Sequence, residues 1–142
     1  MRIKDVMRGK SSQAIVTVKP GDTVAHLLNV LAQYNIGAVV VTEDGKKIDG
    51  IISERDVVRH MGANRELIDA AISTIMTSDV HTCTAETEVV VLAEEMTQQR
   101  FRHVPVVEGD VLVGLVSIGD IVKHRISMLQ SERDHLESYI KQ

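Results

Sequence analysis

Gly50-Ile51-Ile52-Ser53-Glu54-Arg55-Asp56-Val57-Val58-Arg59-His60 is answered, 64 residues on, by Gly114-Leu115-Val116-Ser117-Ile118-Gly119-Asp120-Ile121-Val122-Lys123-His124. Five of the eleven positions are identical, and four more exchange one aliphatic for another or Arg for Lys. The shared frame is Gly-φ-φ-Ser-x-x-Asp-φ-Val-basic-His, with φ aliphatic. A repeat at this spacing divides the 142-residue chain into two copies of one unit.

The correspondence extends in both directions. Upstream of each frame lies a short aliphatic run, residues 37–42 or 102–107, whose continuous apolar character suits a strand buried on both faces. A polar turn follows each run, Glu43-Asp44-Gly45-Lys46 or Glu108-Gly109-Asp110, and predicts a hairpin returning through residues 48–52 or 111–116. Pro105 inside its run predicts an edge position or a bulge. Earlier still, Val24, Leu27, Leu28 and Leu31 fall at helical period, as do Val89, Leu92, Ala93 and Met96. Asp22 and Thr87 stand where an N-cap belongs. Residues 15–18 and 80–84 predict the first strand of each copy, with Thr17 matching Thr82, and Asp5-Val6-Met7 recurs as Thr74-Ile75-Met76.

Each copy is therefore strand–helix–strand–strand–helix. The expected division is residues 5–64, a linker at 65–73, residues 74–125, and a C-terminal helical extension at 126–142. Units of about 60 residues bury too little apolar surface to stand alone, so the copies should pack together with pseudo-two-fold symmetry. The fold class is α+β, in the manner of an α/β sandwich. On the extension Ile126, Leu129, Leu136 and Ile140 share one stripe, which Arg133 interrupts.

Composition narrows the function. Apolar residues make up 44% and charged residues 25%, as in soluble globular proteins. Tyr34, Phe101 and Tyr139 are the only aromatics, which removes the usual platforms for stacking single-stranded nucleic acid. The net charge of −4 offers no basic footprint for a nucleic-acid backbone. Cys83 stands alone, so no internal disulfide forms and a reducing cytoplasm is expected. No apolar run is long enough to span a bilayer, and the charged start does not resemble a signal peptide.

The tandem units, the Gly-x-x-Ser-x-x-Asp ending of each, and the run Phe101-Arg102-His103-Val104-Pro105-Val106 resemble a cystathionine-β-synthase (CBS) domain pair, or Bateman module. The resemblance covers about residues 5–125 and makes the chain similar to stand-alone CBS pairs, which are read as sensors of adenine nucleotides.

Two readings of the frame stay open on the residues themselves. Ser53-x-x-Asp56 and Ser117-x-x-Asp120 each fit a capping box at a helix start. The same helix start, with its free N–H groups and positive dipole end, is also a phosphate site, and an Asp there can accept from both ribose hydroxyls. Gly50 and Gly114 either let a ligand approach the backbone or end a tight strand. The resemblance implies that Asp56 and Asp120 hold ribose and that Ser53 and Ser117 hold phosphate. It places adenine between aliphatic walls from Thr17, Val18, Thr82 and Cys83 and from the starts of the second strands, Gly37 and Ala38 in one copy and Val104 and Pro105 in the other. Cys83 is otherwise a small buried apolar residue. The copies differ in positive charge, since Arg102-His103 replaces Gly37-Ala38 and Arg55 replaces Gly119. Arg102 or His103 could thus serve phosphates in the cleft of the facing copy.

Other chemistries lack their residues. The six histidines have no metal-ligand spacing, so no metal is expected, and neither a Walker sequence nor Gly-x-Gly-x-x-Gly is present. No nucleophile–base set points to an enzyme. The expectation is a non-catalytic regulatory protein, a cytoplasmic homodimer that binds AMP, ADP or ATP between its copies and acts on an unidentified regulated protein. One alternative is an NAD(H)-binding redox sensor that uses both clefts. Another is a dimerisation adaptor without ligand, in which the motifs only cap helices.

Overall fold

The computed structural model describes residues 1–10 and 15–141. A short helix α1 (Ile3–Arg8) leads into the first copy: β1 (Thr17–Val18), α2 (Val24–Tyr34), β2 (Ala38–Val41), β3 (Gly50–Ser53) and α3 (Glu54–Ala63). Two 3-10 turns, Arg65–Asp69 and Ile72–Thr74, occupy the expected linker. The second copy contributes α4 (Val89–Gln99), β4 (His103–Glu108), β5 (Val111–Ser117) and α5 (Ile118–Lys141). In the first sheet β1 runs parallel to β2, and β3 antiparallel to it. In the second, β4 pairs antiparallel with β5, and Cys83 alone bridges Val106 where β1 would lie.

The expected first strands are shorter than their β-branched runs. Only Thr17 and Val18, or Cys83, pair with the sheet. The residues before them turn toward the clefts described below instead of extending the sheet edge. All four β2 residues are buried, as its continuous apolar run requires. The second hairpin turns through Gly109 and Asp110, both at positive φ, the geometry favoured by tight hairpins. Near Pro105 the ladder is irregular, with the register shifting between Val106 and Val107.

The helix starts correct the capping expectation by one residue. Thr23, not Asp22, caps α2 by accepting from the His26 N–H, and Glu88, not Thr87, precedes α4. Asp22 and Thr87 still share a role. Their side-chain oxygens accept from the N–H three residues upstream, at Lys19 and Thr84, and so close matching turns before the helices.

The two copies exchange their lead-in segments. Ile3 and Val6 of α1 pack in the core of the second copy with Leu92 and Val116, whereas Ile72 and Ile75 pack in the first with Leu27 and Ile52. Backbone bonds repeat the exchange residue by residue. Ile3 N–H donates to Thr87 C=O at 2.9 Å and Ile72 N–H to Asp22 C=O at 2.8 Å. Lys4 N–H donates to Ala85 C=O, and Ser73 N–H to Pro20 C=O. This reciprocal bonding clamps the copies into one body around a pseudo-two-fold axis.

The exchange also accounts for the glycine of the repeated frame. The space beside Gly50 is taken by Met76 Sδ and the Thr77 carbonyl, which would lie 2.7 and 2.8 Å from a Cβ there. The space beside Gly114 is taken by the end of Met7. The matched methionines thus fill the matched glycines, and no ligand is needed to explain either position.

The second copy's final helix and the extension, expected as separate pieces, form the single 24-residue helix α5. No helix among the described residues is long and apolar enough to cross a membrane.

Candidate functional site

Both frames fold as capping boxes. In the first, the Asp56 N–H donates to Ser53 Oγ at 3.2 Å, and Asp56 Oδ2 accepts from the Ser53 N–H at 2.9 Å. In the second, the Asp120 N–H donates to Ser117 Oγ at 3.0 Å and Asp120 Oδ2 accepts from the Ser117 N–H at 2.9 Å. The N–H of the next residue is also used. Glu54 donates to the Gly37 carbonyl and Ile118 to the Arg102 carbonyl. Each helix start is thus tied to the beginning of the strand that opens its hairpin. Of the orphan donors at these two helix starts, the fold itself consumes three apiece.

Above each frame lies a cleft. The larger, about 710 Å³, is lined by Ser53, Arg55, Asp56 and Arg59 of one copy and by Thr82, Arg100, Arg102 and His103 of the other. Gly37 and Ala38 line it as well. This volume lies within the range of small-molecule sites, about 300–1,000 Å³. Asp56 uses Oδ2 for its cap, and among the described residues Oδ1 has no protein partner. None of the four arginines forms an ion pair among the described residues. Phe101 and His81 stack on this wall with ring centroids 4.9 Å apart, and Glu95 holds the His81 ring at 2.7 Å. Ile51 and Val80 add apolar surface.

The smaller cleft, about 360 Å³, is lined by Ser117 and Asp120, by Lys10, and by Asn35 and Ile36 of the facing copy. Gly37, Ala38 and His103 reach it as well, because they lie near the axis between the two sites. Its carboxylate is engaged by a cation at Oδ2, while Oδ1, like that of Asp56, has no protein partner among the described residues. Lys10 Nζ sits 3.1 Å from Asp120 Oδ2 and donates to the Leu115 carbonyl at 2.6 Å. Burial works to raise the Asp120 pKa, but the Ser117 N–H and the Lys10 ammonium outweigh it and hold the carboxyl below its ordinary range. Burial lowers His103, with Asp120 and Glu54 pulling its pKa up and Arg102 and Lys10 pushing it down.

The residues expected from sequence separate into groups. Gly37, Ala38, Ser53, Arg55, Asp56, Thr82, Arg102 and His103 meet at the larger cleft, and Ser117 and Asp120 at the smaller. Arg102 and His103 do face the other copy's frame. Val18, Cys83 and Val104 lie in the cores, Pro105 is buried in β4, and Thr17 sits in β1 outside both clefts. Burial, with Glu95 second, pushes the Cys83 thiol up to about 11, so it packs as a neutral apolar group. Sequence reasoning passed over Arg59, Arg100, Asp79 and Lys10. Arg59 was signalled by its place four residues after Arg55 on one helix face. Lys10 and Asp79 follow the matched Met7 and Met76 at the same interval, a correspondence that could have been drawn from the repeat.

Arg100 stands out locally. It ends α4 at φ 60°, in the left-handed region, just as Asn35 ends α2 at φ 51°. Asn tolerates that conformation, whereas Arg is strained there.

The family model described as CBS domain matches residues 3–63 and 72–127. The chain belongs to the CBS-domain family. Among related CBS proteins, the mitochondrial CBS domain-containing protein CBSX3 of Arabidopsis thaliana is 34% identical over 98% of this chain and 71% of its own length. The crystal structure of a CBS-domain containing protein from Agrobacterium tumefaciens is 36% identical, with a TM-score of 0.83 over 88% of this chain and 99% of that one. A CBS pair of protein MJ0100, solved in complex with 5′-methylthioadenosine and S-adenosyl-L-methionine, is 25% identical with a TM-score of 0.76, covering 87% of this chain and 98% of its own. The paired-repeat fold and its place among stand-alone CBS pairs agree with the expectation drawn from the repeated frame.

Proposed function

We propose that this CBS pair is a non-catalytic regulatory protein that binds a phosphorylated adenine nucleotide in its larger cleft. One observation carries the reading. A capping carboxylate with one unengaged oxygen shares a cleft of about 710 Å³ with Arg55, Arg59, Arg100 and Arg102, drawn from both copies. The carboxylate suits a ribose diol, and unpaired guanidiniums suit a phosphate chain. Ile51, Val80 and Phe101 offer surface for the base. The adenosyl ligands of the MJ0100 pair support an adenosine-type occupant.

Binding across two copies gives a route to regulation. A ligand held by Asp56 on one copy and Arg102 on the other has different contacts when the copies rotate, which is the differential affinity a switch requires. A protein that reads this change acts as the regulated partner, and the whole works without chemistry of its own. The cytoplasm remains the proposed compartment, although the Arabidopsis relative is named as mitochondrial.

Titration calorimetry of the purified protein with AMP, ADP, ATP and NADH tests the reading. The expected result is binding of at least one adenine mononucleotide, with ADP or ATP favoured over adenosine. Absence of binding at millimolar concentration, or binding untouched by Asp56→Ala with Asp120→Ala, overturns it. Preference for NADH would instead favour one dinucleotide lying across both clefts.

A further inference from the structure

From Arg125 to Lys141 every residue of α5 is exposed. At 1.5 Å per residue this is a bare helix of about 25 Å. A single helix of that length with nothing packed on it is marginal in water. It nevertheless carries large apolar side chains, with Leu136 60% and Ile140 79% exposed. Val122, Ile126, Leu129, Arg133, Leu136 and Ile140 follow one another at steps of four and three, the spacing of a coiled-coil seam.

We propose that this seam pairs with the same helix of a second copy of the chain, in antiparallel orientation centred on Ser131. Charge decides the orientation. Parallel pairing in register would bury Arg133 against Arg133 at the seam and set Glu132 against Glu137 on both flanks. Each of these is a like-charge contact, and the first is desolvated. Antiparallel pairing removes both. Ile126 meets Leu136 of the second copy, Val122 meets Ile140, and Arg133 lies over Leu129. Along the flanks Lys123 faces Glu137, and Arg125 faces the ring of Tyr139. The two Glu132 carboxylates meet at the centre, bracketed by the two Arg133 guanidiniums, so the central charges balance. Arg133, the residue that spoils the seam as a parallel coil, thereby fixes the direction of the pair.

Sedimentation equilibrium on the full chain is expected to give a dimer at micromolar concentration. Leu129→Glu should weaken it about a hundredfold or more, since two leucines leave the seam together. Arg133→Leu should tighten it, by continuing the apolar stripe. Orientation is read in a Cys83→Ser background under mild oxidation. Chains carrying Ile126→Cys mixed with chains carrying Leu136→Cys should form a disulfide-linked pair, while Ile126→Cys alone should not. A monomeric full chain overturns the proposal, as does a dimer that Leu129→Glu leaves intact or that Arg133→Leu fails to tighten. Linkage of Ile126→Cys to itself makes the pair parallel and overturns it too.

Discussion

Across the pseudo-two-fold axis, Arg55, Arg100 and Arg102 of the larger cleft correspond to Gly119, Asn35 and Gly37 at or beside the smaller one, and Asp79 corresponds to Lys10. Ser53 and Asp56 correspond to Ser117 and Asp120 without change. The two kinds of position answer to different demands. Ser and Asp cap a helix in both copies, so the fold requires them whether or not anything binds. No packing requires the arginines, which project into a cleft without ion-pair partners among the described residues. Identity between the copies therefore reports folding, and difference between them reports specificity. On the proposed function the larger cleft would take a polyanion, whereas in the smaller one Lys10 already offsets the charge of Asp120.

Asp56→Asn is the sharpest way to break that comparison. The amide keeps the shape and an acceptor for the cap but loses the charge-assisted bonds to ribose. An affinity loss of about a hundredfold is expected by calorimetry. Asp120→Asn should change nucleotide affinity far less, because Lys10 already engages that carboxylate. Equal losses for the two variants would sink the asymmetry.

A second contrast concerns stability. Gly50→Ala drives a methyl group against the Thr77 carbonyl, which is backbone paired with Ile51 and cannot yield. A cost of about 2 kcal/mol is expected in urea unfolding. Gly114→Ala meets only the end of Met7, a flexible side chain, and should cost less than half as much. Met7→Ala should relieve the second clash, whereas Met76→Ala should relieve the first only in part. If Gly114→Ala proves the worse of the two, the matched packing is misread.

Arg100→Asn makes the two copies alike at one place. It should lower ATP affinity about tenfold and leave adenosine affinity nearly unchanged, because only the phosphate contact is lost. It should also raise stability by up to about 1 kcal/mol, since Asn accepts the left-handed backbone that Arg bears under strain. A variant that is destabilised with ATP binding intact would remove Arg100 from the phosphate end.

The repeated frame made most of the fold legible. Helical stripes, buried strand runs and hairpin turns all lie where their periods put them, because each is dictated by neighbours within a few residues. Three features were not legible, and two of them depend on distant partners. The exchange of α1 and residues 72–76 between cores leaves no local trace beyond the echo of Met7 in Met76. The caps fell one residue later than Asp22 and Thr87, because those side chains are taken by the preceding turns. Of the site, Ser53, Asp56, Arg55, Arg102 and His103 were visible in the repeat and meet at one cleft. Arg59, Arg100, Asp79 and Lys10 were not singled out, since a surface charge reveals its role only when the facing copy is in place.

The smallest expected effect tests whether Lys10 closes the smaller cleft. The Lys10–Asp120 pair is partly solvated, with side-chain exposures of 26% and 25%, so its contribution to stability should be about 0.5 kcal/mol. Its sign follows from the depressed pKa of Asp120. A carboxyl whose folded pKa lies below its unfolded value stabilises the fold above that unfolded value, and the contribution fades as pH falls through the folded pKa. Lys10→Ala should therefore be slightly less stable than the parent at neutral pH, and the gap should close as pH drops below the ordinary Asp value of 3.8. The Ser117 N–H remains in the variant and keeps part of the depression. Freed of the ammonium, Asp120 becomes available to a ribose diol in the smaller cleft, and titration calorimetry should register a second, weaker site for adenosine. If Lys10→Ala instead weakens nucleotide binding and no second site appears, then Lys10 is a ligand contact rather than a plug, and the two clefts differ in what they bind rather than in whether they are open.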